Sequence, residues 1–270
     1  MTSLLTNGAH GLRDMFALDH PFYKLCQRTL GRRFGWTIYT KGSLRFLVDH
    51  HSGDQNGTRD CLISPMYREL FLHMDLPDSI RLLDLGANIG GFPLLCLDLG
   101  FTLAELTCVE VNPHTHARLL VNIRHNVGLH ANVLNAAVGG RERRLSLSFP
   151  KGGTAFSIYD SSAGSSEAMI EVLPLDTIVA RGMTQGPIHL CKMDVERAEY
   201  ETFLEGSTDC LRYIHYLIME IHPAEPERQA ALRKKLSNSG FDLIHTSAIS
   251  GDVHLFANRA WHENSPSAQL

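Results

Sequence analysis

The chain has 270 residues, enough for one or two domains around a core that needs no covalent staples. With 44% apolar and 20% charged residues it sits inside the globular range and outside the disordered one. Its 25 basic and 29 acidic side chains leave a formal charge of -4, which excludes a global positive field that would draw it to nucleic acid or anionic lipid.

The N-terminal run MTSLLTNGAHGLRDMF lacks a basic start followed by a long apolar stretch. No run of about 18 apolar residues occurs anywhere. Cys26, Cys61, Cys96, Cys108, Cys191 and Cys210 include no CxxC pair and read as reduced thiols, several of them inside apolar runs. A cytoplasmic protein is expected, with no membrane and no nucleic-acid partner; a homo-oligomer is compatible with these features.

Residues 1–79 combine a mixed helical start, strand-like stretches at 36–39 and 44–48, and a turn at His50-His51-Ser52-Gly53-Asp54. They read as an N-terminal extension packed on the core, over its ligand edge. From Ile80, short apolar runs alternate with amphipathic ones, the pattern of parallel strands joined by crossover helices. Strands are expected at 81–85, 106–110, 131–136, 189–194 and 216–221. A buried helix at 92–99 is stopped by Gly100, and a second at 113–126 sets Leu119, Leu120 and Ile123 at helical spacing. Residues 143–149 alternate as a strand, and the Gly/Ser-rich stretch 151–166 reads as a long loop, a substrate-facing or lid segment with simple disorder as the alternative. A helix at 225–238, closed by Gly240, then leads to strands at 241–246 and 253–258, an antiparallel hairpin at the sheet edge. The expected fold is a doubly wound, seven-stranded α/β sheet of Rossmann-like build over 80–260, with a tail at 261–270. His50 and His51 with Asp54, and His114 with His116, read as surface groups; Arg141-Glu142-Arg143-Arg144 reads as a solvated turn.

Leu82-Leu83-Asp84-Leu85-Gly86-Ala87-Asn88-Ile89-Gly90-Gly91 carries the strongest local signal, an apolar strand that ends in Asp-x-Gly-x-x-x-Gly and opens into a helix. Glycine-rich turns of dinucleotide binders cradle a pyrophosphate, which an acid in the position of Asp84 would repel. Asp84 suits a cationic, hydroxyl-rich ligand such as S-adenosylmethionine, which carries a sulfonium and ribose hydroxyls but no phosphate. Glu110 ends the second strand and can accept both ribose hydroxyls. Asn135, at the end of the third, is placed to hydrogen-bond adenine, with Ala136 and Ala137 giving flat apolar contact.

These residues resemble the FkbM-type S-adenosylmethionine-dependent methyltransferases, in order from Leu82 to Pro223. Asp84 to Gly90 is similar to that family's first motif, Glu110-Val111-Asn112-Pro113 to its Glu-Pro-Asn-Pro, and Lys192-Met193-Asp194-Val195-Glu196-Arg197-Ala198-Glu199 to its Lys-Ile-Asp-Val-Glu-Gly-Ala-Glu. Val111 stands in place of a proline. Arg197 stands in place of a glycine, which argues against a positive-φ turn there and adds a cation beside the site. The resemblance implies methylation of a hydroxyl oxygen on a small molecule, a sugar or a polyketide-type natural product. The cofactor set is then Asp84, Gly86, Ala87, Asn88, Gly90, Glu110, Val111, Asn112, Asn135, Ala136, Ala137 and Asp194.

Lys192, Asp194 and Glu196 alternate along one strand end and share a face; Glu220 and His222 end the next strand. A hydroxyl attacking a sulfonium methyl gains from a base, and histidine titrates in the useful range. The catalytic set is His222 as base, Asp194 second, with Lys192 and Glu220 beside them. A plain ion network, with His222 capping the turn before Pro223, is the bland alternative, and no metal is assigned. RNA methylation, a non-catalytic S-adenosylmethionine-binding module and a nicotinamide dehydrogenase are the rival functions.

Overall fold

Apolar runs satisfy their backbone polar groups most readily by pairing side by side, and here they build one large mixed sheet. The computed structural model describes residues 35–262 except 53, 55–57, 150–165 and 185. A separate antiparallel hairpin of β1 (Trp36–Lys41) and β2 (Leu44–Asp49) comes first. The main sheet contains β3 (Ser79–Leu85), β4 (Thr102–Glu110), β5 (Asn132–Val138), β6 (Arg143–Phe149), β7 (Ser166–Leu173), β8 (Ile188–Met193), β9 (Ile214–Glu220), β10 (Phe241–Thr246) and β11 (Val253–Asn258). Their order is β10-β11-β9-β8-β3-β4-β5-β7-β6. Five central strands, β9, β8, β3, β4 and β5, run parallel.

Among the described residues the sheet has nine strands, where seven were expected. The run from β10 to β5 is the expected doubly wound core, and β7 with β6 extends it past β5. β7 follows the Gly/Ser-rich stretch and is not among the expected strands; it pairs antiparallel with β6 and parallel with β5. The expected loop at 151–166 lies outside the described residues except for Ser166, which begins β7.

Helices α1 (Gly91–Asp98), α2 (Pro113–Asn126), α3 (Leu175–Gly182), α4 (Ala198–Glu205) and α5 (Pro226–Asn238) cover both faces. On one face Phe92, Leu95, Leu119 and Ile123 pack against Leu82, Leu106, Leu190 and Ile218. On the other, Ile178, Tyr200, Phe203 and Leu232 meet Leu83, Val109, Cys191 and Leu217. Successive residues of β3 thus serve opposite cores, which is why its sequence is apolar without interruption from Leu82 except at Asp84.

The described part of the N-terminal stretch joins the first of these cores through Phe46, Val48, Leu62, Tyr67 and Leu70. Asn122 of α2 donates to Leu47 O and Ile89 O and accepts from Leu47 N. Asp54, expected at the surface, is fully buried and receives both Arg118 Nε and Nη2, at 2.6 and 2.8 Å. Cys96, Cys108, Cys191 and Cys210 are free and buried, and burial pushes each thiol up; Cys26 lies outside the described residues. Among the described residues no helix is long and apolar enough to cross a membrane.

Candidate cofactor and acceptor site

Leu85, Glu110, Val138, Met193 and Glu220 end the parallel strands along one edge of the sheet. The strand order reverses between β3 and β8, and a crevice opens above such a point. There Asp194 N donates to Leu85 O at 2.9 Å, so the two loops lie main chain against main chain. Gly86 has φ +75, and a Cβ at that position would fall 1.7 Å from Asp194 O. The neighbouring backbone is what excludes a side chain here. Gly90 lies against Leu119 and Ile123 of α2.

Beneath this junction lie two buried charges in register, Asp84 of β3 and Lys192 of β8. Lys192 Nζ donates to Gly86 O at 2.8 Å and to Asp194 Oδ2 at 3.4 Å, and stands 3.7 Å from Asp84 Oδ1. Neither carboxylate oxygen of Asp84 has a hydrogen bond. Burial lifts the Asp84 pKa to about 6, with Lys192 opposing. Burial disfavours the Lys192 charge as well, but Asp194 and Asp84 outweigh it and raise its pKa. The cation that Asp84 faces is therefore Lys192, and its side chain reaches no ligand surface.

Glu110 joins two loops of the crevice. Its Oε2 accepts from Asn88 N at 3.0 Å and its Oε1 from Asn112 N at 2.8 Å. Burial lifts its pKa to about 7 while these two N–H groups pull it down. Each oxygen retains a second lone pair, so a vicinal diol can still be accepted. Asn88 takes a left-handed φ of +50. Asn112 caps α2 through His114 N at 3.0 Å, and Asn135 Nδ2 donates to Glu110 O and Val111 O. Val111, half-buried, packs on the small core of β6 and β7. Ala87, Ala136 and Ala137 are each 3% exposed. The two β5 alanines therefore lie in the core, and the flat apolar contact expected of them is not on the edge.

The second cluster gathers round His222. Its Nδ1 is 3.3 Å from Glu199 Oε1, and its Nε2 is 3.3 Å from Glu196 Oε2 and 3.9 Å from both Asp194 Oδ1 and Glu220 Oε1. Glu199 also accepts from His222 N at 2.9 Å. Burial alone would disfavour the imidazolium, but hydrogen bonds to Glu196 and Glu199 and their charges push its pKa up to about 10. At neutral pH this ring is already protonated and holds no lone pair for a substrate proton. The base expected at His222 is thus unavailable in this geometry, because four carboxylates converge on it. Glu220 moves the other way from an ordinary acid: burial first, then the Asp194 charge, raise it to about 7.

A long-range ¹H–¹⁵N NMR titration should show His222 as imidazolium from pH 6 to about pH 9. A ring already neutral at pH 8 would refute the charge assignment. The same shift is a stability term: with the folded value above the ordinary 6.5, His222 stabilises fully below about 6.5, and the gain is lost as pH rises through about 10.

Asp194, Glu220 and His222 also offer ligand atoms all within 4.8 Å of one another, a spacing that a divalent cation can bridge if it displaces the His222 proton. Glu196 and Arg197 both take left-handed φ, +50 and +77. The positive-φ turn that Arg197 argued against is present, held by residues that adopt it at a cost. Three residues of this edge were not singled out from sequence. Glu199 lies inside the Lys192–Glu199 motif, so its signal was available; Tyr200 OH donates to His222 O at 2.6 Å. Tyr67 comes from the N-terminal stretch, buried near Asp194 and Glu220, whose charges add to burial in raising its pKa.

The family model for the methyltransferase FkbM domain matches residues 84–243. Among solved structures, a methyltransferase FkbM from Methylobacillus flagellatus is similar at 16% identity, over 88% of this chain and 71% of that one, with a TM-score of 0.47. A putative RNA methyltransferase from Pyrococcus horikoshii aligns at 16% identity over 75% and 83%, TM-score 0.41. A tRNA (uracil-54, C5)-methyltransferase from Pyrococcus abyssi, in complex with S-adenosyl-L-homocysteine, aligns at 12% identity over 83% and 44%, TM-score 0.40. No curated protein matches the chain.

Proposed function

We propose, on the premise that this chain belongs to the methyltransferase FkbM domain family, that it methylates a hydroxyl oxygen of a small molecule with S-adenosylmethionine as donor. The observation that carries this reading is Glu220, a carboxyl group with a pKa of about 7 at the end of β9, next to Asp194 and across the crevice mouth from the Glu110 loops. A base titrating near the working pH combines a useful deprotonated fraction with a useful proton affinity.

The residues fit the donor. Glu110 has one lone pair left on each oxygen for ribose hydroxyls, and Asp194, Glu196 and Glu220 make the edge anionic towards a sulfonium. When bound, S-adenosylmethionine supplies an electrophilic methyl group. Glu220 would take the hydroxyl proton as the acceptor oxygen gains the methyl group, leaving the donor as its demethylated thioether. Lys192 fixes Asp194 and the Gly86 carbonyl. His222, as a cation, keeps Glu220 from rising further and orders Glu196 and Glu199. Positioning of hydroxyl and methyl supplies the rest.

The test is product detection by mass spectrometry with isotopically labelled donor, against hydroxylated metabolites, sugars and RNA. Labelled methyl ethers of small molecules are expected, unchanged by EDTA. Transfer only to RNA would replace the reading, and tight NADH binding without S-adenosylhomocysteine binding would remove it. Glu110→Ala should weaken S-adenosylhomocysteine by about ten- to a hundredfold, the loss of charge-assisted bonds of roughly 1.5–3 kcal/mol. Unchanged affinity in that variant would show that the cofactor lies elsewhere.

A further inference from the structure

Next to the acceptor edge is a groove of about 400 Å³ that methyl transfer leaves unused. It is lined by four arginines from three distant segments: Arg141 and Arg143 of the turn into β6, Arg197 of the loop after β8, and Arg228 of α5. Arg143 is committed to Glu201, with Nη1 and Nη2 at 2.5 and 2.9 Å from its two oxygens. Among the described residues, Arg141, Arg197 and Arg228 have no carboxylate at ion-pair distance. Arg228 stacks instead over the Tyr200 ring at 5.3 Å. Such convergence is costly in a chain of net charge -4, which has acids to spare for pairing.

Two connections tie the groove to the chemistry. Tyr200, which forms part of its wall, donates its hydroxyl to His222 O. Arg197 directly follows Asp194, Val195 and Glu196, and it holds a left-handed backbone that a side chain adopts only against strain. Glu201, paired with Arg143, and Glu205 also line the groove, but the four guanidinium groups outnumber them, and the three outside ion pairs match a tetrahedral oxyanion.

We propose that this groove binds a phosphate or sulfate monoester carried by the acceptor, so that the enzyme methylates hydroxyls of anionic small molecules. This rests on the methyl-transfer reading for the reaction but not for the binding. The groove also has room for more than a bare anion.

The experiment is calorimetric titration of the whole protein with inorganic phosphate and with inorganic sulfate, against chloride at equal ionic strength, followed by S-adenosylhomocysteine. Arg197→Gly is the key variant, since glycine suits φ +77 and the fold is retained. Saturable binding of phosphate or sulfate is expected, weakened about tenfold or more in Arg197→Gly and again in Arg197→Gly with Arg228→Gln. S-adenosylhomocysteine affinity should stay unchanged in both. A phosphorylated sugar should be methylated in preference to its dephosphorylated partner, and a sulfated one likewise if sulfate is the tighter anion. Anion binding no stronger than chloride, or untouched by either variant, would overturn the proposal. So would salt-dependent binding of a single-stranded RNA oligonucleotide that neither anion displaces. Loss of S-adenosylhomocysteine binding by the unmodified protein would instead strike the methyl-transfer reading.

Discussion

Gly86→Ala should lose about 2–5 kcal/mol of stability and with it the affinity for S-adenosylhomocysteine. The new Cβ would lie 1.7 Å from Asp194 O, far inside contact distance; that oxygen is main chain, and the Cβ is fixed rigidly to the backbone that carries it. Neither can rotate away, so β3 and β8 must separate where Asp194 N is bonded to Leu85 O and Lys192 to Gly86 O. A left-handed alanine costs about 1–2 kcal/mol, and overpacking at a tight site about 1–3 more. Separation would also loosen Lys192 from Asp194 and strand Asp84 as a buried acid with no cation near it. Urea unfolding and calorimetry read both losses. A Gly86→Ala protein with native stability and affinity would show that the two loops do not touch.

Glu220→Gln should lower turnover by about two to four orders of magnitude, the usual contribution of a general base, with S-adenosylhomocysteine affinity within a few-fold of normal. The unmodified enzyme should show kcat rising with pH through about 7, since the carboxyl must be deprotonated to accept the hydroxyl proton. That ascending limb should vanish in Glu220→Gln. His222→Ala separates the two candidate bases. The His222 charge pulls the Glu220 pKa down, so removing it should move the limb to higher pH while keeping it. Were His222 the base, its removal would erase the limb. Full turnover in Glu220→Gln at every pH would show that positioning alone carries the reaction.

Much of the scaffold was legible because its causes are local. Apolar runs such as Leu82–Leu85 mark strands, and α2 runs from Pro113 to Asn126 as expected, with Asn112 capping it in front of Pro113. The Asp84–Gly90 turn was placed correctly as a strand-to-helix junction. The reason for its glycine was not legible: the carbonyl that crowds Gly86 belongs to Asp194, more than a hundred residues on.

Residue type, spacing and local propensity determined by themselves that strands and helices alternate from β3 to β5, that a glycine turn opens a helix after β3, and that Glu110, Lys192, Asp194, Glu220 and His222 lie at or just after strand ends. Tertiary structure alone decided what those groups are. A sequence shows that His222 is a histidine; only the convergence of Glu196, Glu199, Asp194 and Glu220 raises its pKa to about 10, and only burial beside Asp194 raises that of Glu220 to about 7. It likewise set Asp84 against Lys192, paired β7 with β5 and β6, and gathered Arg141, Arg197 and Arg228 into one groove. Strand and helix formation follow from interactions between near neighbours along the chain. A protonation state follows from the summed field of every charge within a few ångströms and from the water excluded there, and folding assembles both from distant segments.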